Sequence, residues 1–131
     1  MSTTMQKNSM KNKMNNLLRL EETGQFFLSI ILFSQLEYSW WVFPACIPLP
    51  DLSMIGYLAN PKIGAWLYNF FHHKLLAISV FIFGILIDSS LTTLTGIILF
   101  GHSAMDRIFG YGLKFQDSFK NTHLGWIGKK N

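Results

Sequence analysis

The sequence predicts an all-α, four-span transmembrane helical bundle whose second span is broken by prolines. Three observations carry that expectation. Half of the 131 residues are hydrophobic and 15% are aromatic, while only 14% are charged; a soluble domain carries about 25% charged residues. The apolar residues fall into four runs separated by short polar turns. Lys and Arg gather at the two ends and in one turn, and the other two turns have none, which is how cytoplasmic and outer loops differ.

The chain has the length of one domain. Residues 1–16, rich in Lys, Asn, Ser, Thr and Met, read as a disordered polar tail. Residues 17–112 read as the four-span membrane domain, and 113–131 as a cytoplasmic tail packed near a polar site. The first span, Leu17 to Tyr38, is carried by the apolar run Phe26 to Phe33 and closes on Gln35 and Glu37. The second starts at Trp40-Trp41, an interfacial aromatic pair. Pro44, Pro48 and Pro50 follow, and each removes a backbone donor. This span therefore breaks around Pro48 to Asp51, with Asp51 capping the piece Leu52 to Leu58. Broken backbone at membrane depth needs protein or a wet cavity around it.

Asn60-Pro61-Lys62 makes a turn. The third span runs from Ile63 to about Ile87 and puts Asn69, His72 and His73 on one face. Asp88-Ser89-Ser90 makes the next turn, and the fourth span covers Leu91 to Phe109. The fourth span ends in Gly101-His102-Ser103-Ala104-Met105-Asp106-Arg107, with His102 and Asp106 one turn apart on the same face.

The single Cys46 excludes an intrachain disulfide and a Cys-based zinc site. The net charge of +4 sits in the tails, not in a stripe among aromatics, which argues against nucleic-acid binding. No signal-peptide layout is evident. Lys7, Lys11, Lys13 and Arg19 at the amino end, Lys62 in the middle turn, and Lys114, Lys120, Lys129 and Lys130 at the carboxyl end place both termini in the cytoplasm of a multi-pass plasma-membrane protein.

With that orientation, a helical rise of about 1.5 Å per residue puts Asp51 roughly 10 Å, His72 about 13 Å and His102 about 10 Å from the cytoplasmic face. Three spans thus deliver costly polar groups to one layer, with Asp106 one turn shallower. Ionisable groups in spans are functional candidates by default. Mixed His and Asp donors suit zinc or manganese, and also iron. Asp51, His72, His102 and Asp106 are accordingly the expected metal ligands, supported by Tyr68, Asn69, Ser103 and Glu22. Glu21 or His123 is the expected proton carrier, and Arg107 the expected partner of an anionic headgroup. Each group also has a plainer reading: a helix cap for Asp51, a self-neutralising tie between helices for His102 with Asp106, an interhelical hydrogen bond for His72, a headgroup-facing acid for Glu21, an interfacial anchor for Arg107 and a solvated tail residue for His123.

The motifs Leu17-Leu18-Arg19-Leu20-Glu21, Pro50-Asp51-Leu52-Ser53-Met54-Ile55-Gly56-Tyr57-Leu58, Tyr68-Asn69-Phe70-Phe71-His72 and Gly101 to Arg107 resemble the domain-of-unknown-function family 4260. So do Gly110-Tyr111-Gly112-Leu113-Lys114 and Phe119 to Gly125. The resemblance covers nearly the whole chain and implies a small bacterial integral membrane protein without an assigned activity. The chain departs from it in Glu22 and in a longer polar amino tail. The order Pro-Asp, His, then His-x-x-x-Asp is also remotely similar to membrane-bound metal-dependent hydrolases. Here Ser53 stands where their second Asp would be, and Phe71 or His72 where their Thr would be.

The leading expectation is a membrane-embedded, metal-dependent hydrolase acting on a lipid or amphiphile. The alternatives are a small transporter or proton relay, haem ligation by His72 and His102, and a structural membrane subunit.

Overall fold

The computed structural model describes residues 2–114, 120–122 and 124–127. Its helices are α1 (Ser2–Ser34), α2 (Val42–Cys46), α3 (Pro61–His72), α4 (Lys74–Leu86) and α5 (Ser90–Ile108). A 3₁₀ segment, Leu49–Leu58, lies between α2 and α3. Two short strands, β1 (Asn121–Thr122) and β2 (Gly125–Trp126), pair antiparallel, with Asn121 opposite Trp126. The all-α expectation holds for the body of the chain.

The organising element is α5. Thr93, Leu94, Gly96 to Leu99, Gly101 to Ala104 and Asp106 are all buried along it, with α4 on one side and α1 on the other. Small residues permit both approaches. A Cβ on Gly96 would strike the Phe81 backbone of α4, and one on Gly101 would lie 2.6 Å from Ser29 Oγ of α1. Close backbone contact of this kind lets helices associate through van der Waals packing. Phe33, Phe43, Leu94, Ile97 and Ile98 form the apolar core at this junction. The rings of Phe33 and Phe43 lie 5.4 Å apart, within the range of favourable aromatic pairs. The 3₁₀ segment packs instead on α3, where Tyr57 lies against Gly64 and Leu67 against Gly56.

The proline break appears where expected, but Asp51 does not cap a piece starting at Leu52: the segment begins at Leu49 without a side-chain cap, and the Asp51 carboxylate turns to His72 and His102. Pro48 precedes the 3₁₀ segment, and Pro50 occupies its first turn. Two of the other expected boundaries differ. The expected disordered tail, residues 1–16, is helical from Ser2 and continuous with α1. That stretch has no Gly or Pro before Gly24 and is rich in Lys and Met, which favour helix. The third span is not one helix: His73 adopts an extended conformation, and α3 and α4 meet with a 46° bend. Ser103 Oγ donates to the His72 carbonyl at 2.9 Å, taking an acceptor that a continuous helix would use internally. His73 Nδ1 then accepts the Leu75 N–H at 3.1 Å and caps α4.

Side-chain caps also start α3 and α5. Asn60 Oδ1 accepts from Ile63 N–H at 2.8 Å, with Pro61 at the first helical position. Ser89 Oγ accepts from Thr92 N–H. At the far end of α5, Gly110 takes φ +87°, the left-handed stop that glycine permits. That turn sends the chain back across the end of α5, where Lys114 bridges to Thr122.

Among the described residues no single helix is long and apolar enough to cross a membrane, but the bent pair α3–α4 meets both criteria together. Trp40, Trp41, Leu52, Ile55 and Leu58 are exposed. On α4 so are Leu75, Ile82, Phe83, Ile85 and Leu86.

Candidate metal centre

Four side chains from three elements converge at the inner face of α5. Asp51 comes from the 3₁₀ segment, His72 from the last residue of α3, and His102 and Asp106 from successive turns of α5. His72, His102 and Asp106 are buried; Asp51 is partly open to the outside. One donor atom from each lies within 4.8 Å of all the others.

The donors alternate around a ring. His102 Nε2 is 2.9 Å from Asp51 Oδ1 and 3.3 Å from Asp106 Oδ2. His72 Nε2 is 3.3 Å from Asp51 Oδ1 and 3.4 Å from Asp106 Oδ2. Whether such a ring is flat or puckered, its centre lies about 2.0–2.3 Å from each atom, the bond length of zinc with nitrogen and oxygen donors.

The imidazoles are held in one orientation. His72 Nδ1 donates to the Tyr68 carbonyl at 2.8 Å, and His102 Nδ1 donates to the Ile47 carbonyl at 2.6 Å. With Nδ1–H committed to a backbone acceptor, Nε2 is the nitrogen left with a lone pair in the neutral ring, and both Nε2 atoms point into the ring. Metal-binding histidines are oriented in this way by an outer hydrogen bond. The carboxylates are supported as well: Tyr68 Oη donates to Asp106 Oδ2 at 3.0 Å. The Tyr68 ring stacks on His72 at 3.7 Å between centroids, and Ser103 fixes the His72 carbonyl.

A cavity of about 200 Å³ borders the two carboxylates of the ring, lined by Asp51, Met54, Tyr68, Asp106, Tyr111, Lys114 and Ile127. Asn69 Nδ2 donates to the Lys114 carbonyl at 2.7 Å and ties that returning chain to α3. Lys114 Nζ sits 4.7 Å from the centre of the Tyr68 ring. Burial pushes the Lys114 ammonium down to about 8, against the opposing pull of Asp106 and Asp51.

The structure thus brings together the four expected ligands. Tyr68 and Ser103 support the ring directly, while Asn69 acts at one remove. Glu22 lies elsewhere: it pairs with Lys74, which also bonds Gln25. Glu21 is exposed on α1. Arg107 lines a separate hollow with Arg19, and His123 lies outside the described residues. The Ile47 carbonyl and Lys114 were missed by sequence reasoning. A backbone carbonyl leaves no sequence signal, and Lys114 reads as one more tail charge until the Gly110 turn folds it back.

Residues 15–127 match the family described as Domain of unknown function (DUF4260). No curated protein and no solved structure matches the chain.

Proposed function

The chain belongs to the DUF4260 family, and we propose that it is a membrane-embedded, metal-dependent hydrolase of a lipid or amphiphile. Asp51, His72, His102 and Asp106 hold one divalent ion, zinc or manganese. The observation that carries this reading is the pair of outward hydrogen bonds, His72 Nδ1 to Tyr68 and His102 Nδ1 to Ile47, which turn two Nε2 atoms onto two carboxylates. Two carboxylates and two neutral imidazoles carry a charge that one divalent cation balances, and that matters in a poorly hydrated site.

A divalent ion held there would lower the pKa of a bound water to near neutral, provided it takes a fifth ligand or the half-exposed Asp51 yields its position. The protein supplies the rest. Tyr68 keeps Asp106 facing the ring, the cavity lined by Tyr111 and Ile127 admits the substrate, and Lys114 Nζ offers a cation to charge developing there.

The membrane part of the proposal has α1, α2 with the 3₁₀ segment, the bent pair α3–α4, and α5 as four passes, with both termini cytoplasmic. The exposed apolar side chains of α4 and of the 3₁₀ segment support it, since water-soluble monomers rarely leave such a surface open. So does the composition of the bent pair. The ring then lies in the cytoplasmic half, where a lipid headgroup can reach it.

Metal analysis of the purified chain tests the proposal. Stoichiometric zinc or manganese, lost in His102→Ala and Asp106→Asn, is expected. A metal-free protein that does not take up either ion, and whose stability does not respond to them, reduces the ring to a hydrogen-bonded tie between helices.

A further inference from the structure

Arg107 follows a proposed ligand directly in sequence but does not enter the ring. It borders a narrow gap with Tyr68, His72, Ser103 and Asp106. It also lines a hollow of about 230 Å³, together with Asn15, Leu18, Arg19 and Glu22 of α1, Gly110 and Leu124. We infer that this hollow binds a phosphate-type anion through Arg19 and Arg107, and that the anion is the headgroup of the amphiphile the ring acts upon. The second half rests on the hydrolase reading; the first does not.

The balance of charge is the main support. Glu22 is the one acid in the lining, and Lys74 already holds it. Among the described residues, neither Arg19 nor Arg107 has an ion-pair partner. Among the described residues, two guanidiniums share a hollow whose one carboxylate, Glu22, is already held by Lys74, an arrangement that an arriving anion stabilises. The guanidinium fork matches phosphate oxygens in pairs, where an ammonium offers a point charge.

The turn that ends α5 borders the hollow. Gly110 takes φ +87°, and a Cβ there would stand 3.7 Å from Arg19 Nη2. Asn15 adds an amide to the lining. The rim is apolar: Leu18 of α1 and Leu124 both line the hollow and are exposed. A seat with two cations and a greasy rim suits an anion attached to an alkyl chain better than a free ion. Arg107 lines both this hollow and the gap beside the ring, so a headgroup seated here is next to the metal centre.

Calorimetric titration of the full, metal-loaded chain in uncharged detergent tests this. The probes are dihexanoyl phosphatidate, dihexanoyl phosphatidylcholine and inorganic phosphate. Phosphatidate is expected to bind most tightly. Arg19→Gln and Arg107→Gln should each weaken it by about tenfold or more, the size of one charge-assisted contact, with metal content unchanged. Arg19→Lys and Arg107→Lys should retain part of the affinity. Arg19 is exposed, so its variants test the site without disturbing the core.

Inorganic phosphate binding as tightly as phosphatidate, with the same losses, keeps the anion site and overturns the headgroup assignment. Absence of binding by both anions, or full affinity in both Gln variants, overturns the inference. Loss of metal in His102→Ala with phosphatidate binding intact shows that the two sites are separate. A metal-free wild type that still binds phosphatidate defeats the hydrolase reading alone.

Discussion

At the scale of single residues, the site is set by where protons are already spent. His72 and His102 each donate from Nδ1 to a carbonyl, so one nitrogen per ring remains for the centre. His102→Ala removes a donor and leaves two carboxylates facing each other across a gap; metal content should fall to near zero in elemental analysis. Tyr68→Phe is subtler. It keeps the ring stacked on His72 but deletes the bond to Asp106 Oδ2. Loss of such an outer contact weakens metal binding by about ten- to a hundredfold, readable by competition with a fluorescent chelator. Lys114 adds a pH signature. Its folded value of about 8 lies below its ordinary 10.5. Below the lower value both states carry the proton, and the folded state bears the full cost of burying it. Between the two values the folded state sheds the proton first. Stability relative to Lys114→Met should therefore rise with pH through that window, as followed by thermal unfolding at fixed metal concentration.

At the scale of elements, the crossings are what align the donors. Ser103 and Gly101 flank His102 on α5; one pins the end of α3 and the other lets α1 approach. Gly96 does the same for α4, where an added methyl would meet the Phe81 main chain. Backbone cannot move aside as a flexible side chain would, so Gly96→Ala must push α4 away from α5. A cost of about 1–3 kcal/mol is expected, in line with overpacked cores, and chemical unfolding in detergent should register it. The bend between α3 and α4 illustrates the reach of tertiary contacts over local preference. Residues 63 to 87 read as a single apolar run, yet the helix parts at His73, whose own ring caps α4 while Ser103, thirty-one positions from His72, occupies the His72 carbonyl.

At the scale of the whole molecule, metal and membrane are the two quantities to measure. The ring joins the 3₁₀ segment, α3 and α5, so an ion bound there should brace three elements at once. Removing it with a strong chelator should lower the melting temperature, and zinc or manganese should restore it, because a ligand bound only to the folded state stabilises by mass action. The membrane proposal predicts that the chain stays with the lipid fraction after alkaline carbonate washing. Release into the wash would instead assign the exposed apolar surfaces of α4 and the 3₁₀ segment to a protein partner.

The sequence by itself determined the helical class, the proline break before Asp51 and the four-residue step from His102 to Asp106. Each follows from covalent geometry or from a period of 3.6 residues, which are local properties. The expectation from a constant helical rise, that Asp51, His72 and His102 share a level, is met only as convergence of their donor atoms, since the segment carrying Asp51 is 3₁₀. Only the tertiary structure decided which nitrogen of each histidine faces inward, that α3 and α4 part at His73, and that Lys114 returns over the site. These depend on carbonyls, hydroxyls and turns supplied by distant segments. A side chain's neighbours along the chain say what it can donate or accept, but the partner that takes the proton is chosen by the fold.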